Sequence, residues 1–255
     1  MELLTTLVLS VGINLAMFVP AFLFKTDKLT DISYAITFVV VSGYAFIKGG
    51  ASTASIILGS MILLWAIRIG SYLFIRIRKI GKDKRFDERR NSFWGFLGFW
   101  LLQGLTVWVV LIPSIIFFTN GIIEIPRYAY LGLGIWAVGL IVETVADIQK
   151  YRFINNPSNK GKWIGSGLWK YSRHPNYFGE ILLWIGVYVF AFFGLDLWQA
   201  FVGLLSPLYI ASLIMFVSGV PLLEKAADKR WGDNPVYNEY KKRTSILAPL
   251  PNKNV

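Results

Sequence analysis

The feature that most constrains this chain is the recurrence of apolar runs long enough to cross a hydrocarbon core. A core ~30 Å thick needs roughly 20 helical residues at 1.5 Å rise each. Runs of that kind fall at about residues 2–24, 31–47, 53–75, 96–119, 127–147, 178–193 and 198–222 of the 255. The expected fold class is therefore all-α, a polytopic membrane protein with seven transmembrane helices. It is read as one membrane domain over 1–255. Residues 1–95 hold three helices and a basic loop, and residues 96–255 hold four helices and the tail. The hydrophobic share of 55% lies above that of soluble domains and agrees. The first run, MELLTTLVLSVGINLAMFVPAFLF, has no basic n-region and no small-residue cleavage site after a short apolar core, so it reads as a retained helix and not a signal peptide. No repeat, low-complexity stretch or linker marks a second, soluble domain.

The connections sort the charge. Of 26 Lys and Arg, 23 fall in the segments 25–30, 76–95 and 148–177 and in the tail, whereas Lys48 and Arg127 lie on the opposite side and Arg68 lies inside a span. By the positive-inside rule the N-terminus is outside and the C-terminus is cytoplasmic. The same sorting accounts for the net charge of +11 without nucleic acid as a partner. The absence of cysteine excludes disulfides and thiolate chemistry, and a single histidine argues against a metal centre.

Ionisable groups inside spans cost about 2.5–3.5 kcal/mol each on insertion scales, and they usually mark function or internal pairing. Here they are Asp31, Arg68, Glu143, Asp147, Glu180 and Glu224, each toward the cytoplasmic end of its helix. Arg68, Tyr72 and Arg76 recur at i, i+4, i+8, as do Glu143 with Asp147, and Asn176 with Glu180 if the sixth helix begins near Pro175. These stripes predict a cavity open to the cytoplasm. The other reading is that Arg68 pairs with an acid as a structural bridge while the remaining groups snorkel to the interface.

The stretch GLWKYSRHPNYFGE, residues 167–180, concentrates polar groups directly before the sixth span and after the polar loop NNPSNKGKWIGSG. A helix starting at Pro175 leaves free N–H groups that favour an anion. Arg173 and His174 are expected to meet phosphate. Asn176 and Glu180, one turn apart, are expected to meet ribose or carboxamide groups, with Tyr177 beside them. The alternative is that Arg173 and His174 only cap and anchor the helix. Tyr171, Trp163 and Trp169 are also suited to stacking on flat rings. No G-x-G-x-x-G or P-loop is present, so a bound nucleotide would be held by a membrane-embedded site.

GLWKYSRHPNYFGE, with ETVADIQKYRFINNP before it, SGVPLLEKAADKRW and EYKKRTS after it, and LWAIRIGSYLFIRIRKIGKDKRFDERR upstream, resembles bacterial membrane proteins of unknown function related to the steroid 5-alpha-reductase family. The resemblance covers most of the chain from about residue 60. It implies a seven-helix enzyme of a bacterial inner membrane that takes NADPH from the cytoplasmic side. The implied reaction is reduction of a carbon–carbon double bond conjugated to a ketone in a lipophilic, steroid-like or other lipid substrate that reaches the site through the membrane lipids. The cofactor-binding residues it implies are Arg68, Glu143, Asp147, Asn176 and Glu180, with Glu224, Lys225 and Tyr237 placed loosely; Arg76, Arg173, His174 and Tyr177 join them by spacing. The animal enzymes polarise the substrate carbonyl with a Tyr–Glu pair, but here Trp65 stands at the tyrosine position and only Asp31 lies near the carboxylate. The catalytic candidates are accordingly Asp31, Tyr34 and Tyr72. A different reaction class shares the R-H-P-x-Y-x-G element: S-adenosylmethionine-dependent membrane methyltransferases of the isoprenylcysteine carboxyl methyltransferase type. A non-enzymatic lipid-binding or transport protein would not need the cytoplasmic cluster.

Overall fold

The structure is a computed structural model that describes residues 1–80, 92–122 and 124–252, with backbone alone at 77–80. The basic residues expected to mark the loop at Arg78 to Arg90 therefore lie outside the described side chains, as does Lys253. Ten α-helices are present among the described residues: α1 Glu2–Leu23, α2 Lys28–Gly49, α3 Thr53–Ile80, α4 Phe93–Thr119, α5 Ala129–Asn155, α6 Pro175–Ala191, α7 Leu197–Gly203, α8 Leu205–Ser212, α9 Val220–Trp231 and α10 Pro235–Arg243. No strand forms among those residues, and a single parallel bridge joins Ser172 to Ser245. Seven helical segments are long and apolar enough to cross a membrane, as expected from the runs: α1, α2, α3 to Arg76, α4, α5, Pro175–Gly194 and Leu197–Trp231.

Three boundaries depart from the sequence reading. α3 runs 28 residues, about 42 Å at 1.5 Å per residue, so it exceeds an apolar core ~30 Å thick. α5 continues past 147 to Asn155, because IQKYRFIN contains no breaker. It stops where Asn156 precedes Pro157, whose ring disfavours the α conformation one residue earlier. The last span is not one regular helix. A five-residue π turn at Leu213–Val217 separates α8 from α9, closed by Ser218 N–H donating to Leu213 O at 2.9 Å. Pro221, in the first turn of α9, has no N–H to extend the preceding ladder.

The chain divides into two compact units, Met1–Tyr130 with Val187–Ser206, and Leu131–Gly186 with Pro207–Val255. In the first, α4 is the central helix, with 72% of its apolar window buried against 28–39% for α1, α2 and α3. Its contact with α1 is close: a side chain at Gly104 would meet Val11 Cα at 3.1 Å, and Ser10 Oγ donates to Gly104 O at 2.7 Å. A neutral polar network threads α1, α2 and α4. Gln103 Nε2 lies 2.9 Å from Asn14 Oδ1, 2.8 Å from Ser33 Oγ and 3.1 Å from Thr30 O, while Asn14 Nδ2 donates to Ser10 O at 2.9 Å and Thr37 Oγ1 at 3.2 Å. In lipid such bonds join helices that apolar contact alone would not select.

In the second unit, α5 and the first three turns of α6 pack backbone to backbone. A Cβ at Gly179 would lie 2.5 Å from the Glu143 amide nitrogen, one at Gly139 would lie 2.5 Å from Leu183 N, and one at Gly186 would lie 2.4 Å from Trp136 N. Glycine is required along this seam because any larger residue would enter the facing helix backbone. The antiparallel register puts Glu143 of α5 level with Gly179 of α6.

Candidate functional site

That register builds the candidate site within the second unit. Because α6 does begin at Pro175, Asn176 and Glu180 fall one turn apart on one face, both half-buried, and Glu180 directly follows the glycine packed on Glu143. Glu143 and Asp147, also one turn apart, are 2% and 4% exposed. Two carboxylates so withdrawn from solvent are costly unless they are hydrogen-bonded.

The chain leading into α6 is held by contacts from far along the sequence. Arg173 N–H donates to Ser245 O at 2.8 Å, the Ser172 hydroxyl donates to Leu247 O at 2.5 Å and accepts from His174 N–H at 3.1 Å, and Tyr240 OH donates to Trp169 O at 2.9 Å. Burial raises the Tyr240 phenol above its ordinary value, so the group is a hydroxyl donor at neutral pH. Trp169 Nε1 in turn donates to Ala146 O on α5 at 3.1 Å.

On this frame Glu224 of α9 gathers three partners. His174 Nε2 lies 2.8 Å from its Oε1, and Arg173 and Lys241 lie 3.2 Å and 3.7 Å from its Oε2. A second terminal nitrogen of Arg173 donates to Lys241 O at 2.8 Å, and Lys241 also reaches Asp228 at 2.6 Å. Two cations thus stand against two carboxylates. Burial pushes His174 below its ordinary range, opposed by its hydrogen bond to Glu224, which leaves the ring neutral near pH 7. Its ring lies nearly parallel to Tyr177, with centroids 5.7 Å apart.

The structure therefore brings Arg173, His174, Tyr177 and Glu224 into one cluster, and it sets Glu143 and Asp147 beside the start of α6. Lys225 is exposed, and Tyr237 is buried against the Trp163 and Trp231 rings. Of the other rings read as stacking surfaces, Trp163 packs on Tyr237 and Tyr240, Trp169 lies under Lys150 at 4.9 Å, and Tyr171 lies under Lys170 at 5.7 Å. Sequence reasoning missed Lys241, Asp228 and Ser172. The signal for Asp228 was its i, i+4 spacing from Glu224 on one helix face.

The first unit holds the remaining candidates. Asp31 pairs with Arg76 at 3.4 Å, both about a quarter exposed, so an arginine of the α3 stripe, two turns after Arg68, bridges to an acid of α2. Arg68 and Tyr72 are half-buried on the Arg76 face of α3. Trp65 is fully buried, edge-on to Phe38 at 4.8 Å and to Tyr34 at 6.3 Å. Tyr34 thus lies against the indole that occupies the position where the resemblance expects tyrosine.

Residues 17–244 match the family described as "Protein of unknown function (DUF1295)". A stretch of 50 residues is 48% identical to a probable O-methyltransferase, ustE, of Ustilaginoidea virens, and it covers 20% of this chain and 18% of that protein's length. No solved structure matches the chain.

Proposed function

The chain belongs to the DUF1295 family, which is steroid 5-alpha-reductase-like, and from that premise we propose that it is an NADPH-dependent reductase. Its reaction is reduction of a carbon–carbon double bond conjugated to a ketone in a lipophilic substrate. The supporting observation is the pair of buried carboxylates, Glu143 and Asp147, one turn apart on α5, with Glu143 at backbone contact with Gly179 in the turn of α6 that carries Asn176 and Glu180. The donor set fits the group: carboxylates accept from ribose hydroxyls, and the Asn176 amide both donates to and accepts from a carboxamide. When bound, NADPH supplies the hydride, and the protein supplies position and electrostatics.

In this reading Glu143, Asp147, Asn176 and Glu180 hold the sugar and carboxamide ends, with Tyr177 beside them. Glu224 keeps Arg173 and His174 in place. Tyr34 or Tyr72 holds the proton given to the developing oxygen, an assistance worth roughly 10²–10³-fold for a good donor. Asp31, tied to Arg76, orients that arginine. The protein is proposed to sit in a bacterial inner membrane with its N-terminus outside. Reporter fusions after Val255 and beside Gly121 should give opposite signals, and equal signals would refute that orientation.

One observation favours a second reading, an S-adenosylmethionine-dependent methyltransferase: the 50-residue identity to the probable O-methyltransferase. Thermal-shift measurements on detergent-purified protein separate the two. NADPH is expected to raise the melting temperature, and S-adenosylmethionine is not. In Asn176→Ala and Glu180→Ala, NADPH binding should weaken by ~1–3 kcal/mol, the scale of one or two lost hydrogen bonds to buried or charged groups. A response to S-adenosylmethionine alone would overturn the reductase reading.

A further inference from the structure

Glu224 determines which proton His174 carries. Its carboxylate stands between Arg173 at 3.2 Å and Lys241 at 3.7 Å, so it is held ionised and can only accept. The nitrogen 2.8 Å from it, His174 Nε2, must therefore carry the hydrogen. In a neutral imidazole the other nitrogen is then a bare lone pair. That nitrogen, Nδ1, is buried, and no N–H or O–H among the described residues reaches it. The residue is 5% exposed, and the Tyr177 ring, 19° from parallel, fixes the imidazole plane. The adjacent residue shows the complementary deficit: Arg173 uses both terminal nitrogens on Glu224 and Lys241 O, but its Nε–H is buried without an acceptor. A buried acceptor and a buried donor left open on consecutive residues are each costly unless something outside the chain satisfies them.

We propose that His174 binds the ligand as a hydrogen-bond acceptor through Nδ1, taking an O–H or amide N–H of the cofactor, and that Arg173 Nε–H offers the matching donor. The pair therefore suits a neutral polar group such as a ribose hydroxyl or a carboxamide. This rests on the reading of the α6 start as the cofactor site, and it reverses the role that the sequence suggested. The positive charge of Arg173 is taken up by Glu224, and His174 brings none, so neither residue is the phosphate anchor.

Two substitutions separate this role from a purely structural one, because the shorter and longer amides imitate opposite ends of the ring. His174→Gln keeps an N–H at the position that meets Glu224 and removes the acceptor at the Nδ1 position. His174→Asn keeps an oxygen at the Nδ1 position and loses the tie to Glu224. Full-length protein in detergent is titrated with NADPH, and in parallel with S-adenosylmethionine, by calorimetry, with the melting temperature of each unliganded variant recorded. The expected result is that His174→Gln melts near wild type but binds at least about tenfold more weakly, the effect of one lost hydrogen bond to a buried group. His174→Asn should melt lower but bind within about threefold of wild type. Wild-type affinity in His174→Gln, or weakened binding only in His174→Asn, would overturn the acceptor role while leaving the cofactor site standing. Failure of the wild type to bind either compound would remove the cofactor reading and the inference together.

Discussion

Between α1, α2 and α4, Gln103, Asn14, Ser33 and Thr37 exchange hydrogen bonds without a charge among them, whereas at the start of α6 Arg173, His174, Glu224 and Lys241 are joined mainly by charge. The neutral network is closed. The Gln103 amide has three acceptors within reach, and Asn14 both accepts from Gln103 and donates onward. The charged cluster is open, because Arg173 Nε and His174 Nδ1 end on nothing among the described residues. The neutral network is buried and the charged cluster is mostly withdrawn from solvent, so burial alone does not distinguish structural adhesive from a site. What does is whether the hydrogen-bonding capacity is used up, since a closed polar network rigidifies and an open one is sustained only by a partner.

The largest expected effect comes from Glu224→Gln, which keeps the shape and removes the charge. Arg173 and Lys241 would lose their shared counter-ion. Breaking a buried pair costs 3–5 kcal/mol, and with Glu224 16% exposed the expected loss is about 2–3 kcal/mol, accompanied by loss of the NADPH-induced thermal shift. An unchanged melting temperature would show that the cluster does not hold the start of α6. Gln103→Leu should cost less, about 1–2 kcal/mol for hydrogen bonds between membrane helices, with the NADPH shift retained. If that shift disappears in a folded Gln103→Leu protein, the neutral network belongs to the site and the contrast fails. The smallest effect is with pH. His174 has its folded value lowered from an ordinary 6.5, so the unfolded chain binds the proton more readily, and stability must fall as pH drops through and below 6.5. The slope is at most ~1.4 kcal/mol per pH unit, and it should be missing in His174→Gln melting curves. An equal slope in both proteins would assign the effect elsewhere.

Seven spans were legible because hydrophobic length is a local property of the sequence, and the Asn176–Glu180 and Glu143–Asp147 stripes were legible because the helical period is fixed. Distance along the chain hid the rest. Lys241 reads as one more basic residue of a cytoplasmic tail until the fold brings it to Glu224. The Asp31–Arg76 pair spans 45 residues, and nothing local to either residue says that they meet. The break before α9 was invisible because LIMFV is as apolar as any membrane helix; only Gly219 and Pro221 hint that the ladder is interrupted. The α5–α6 seam had a signal that was not used, since Gly132 and Gly139, and likewise Gly179 and Gly186, are seven residues apart, two turns on one face.

The stretch before α6 takes its hydrogen bonds from residues 68 to 75 positions further on: Lys241 O and Leu247 O, with Ser245 O between them. This gives the site a place in time as well as in space. A chain still emerging from the ribosome can have made α1 through α6 and yet lack the contacts that align Arg173 and His174, because the residues that supply them have not been synthesised. The alignment of Arg173 and His174 therefore waits until residues 241–247 have been made, so the opening turn of α6 is completed later than the helix that follows it.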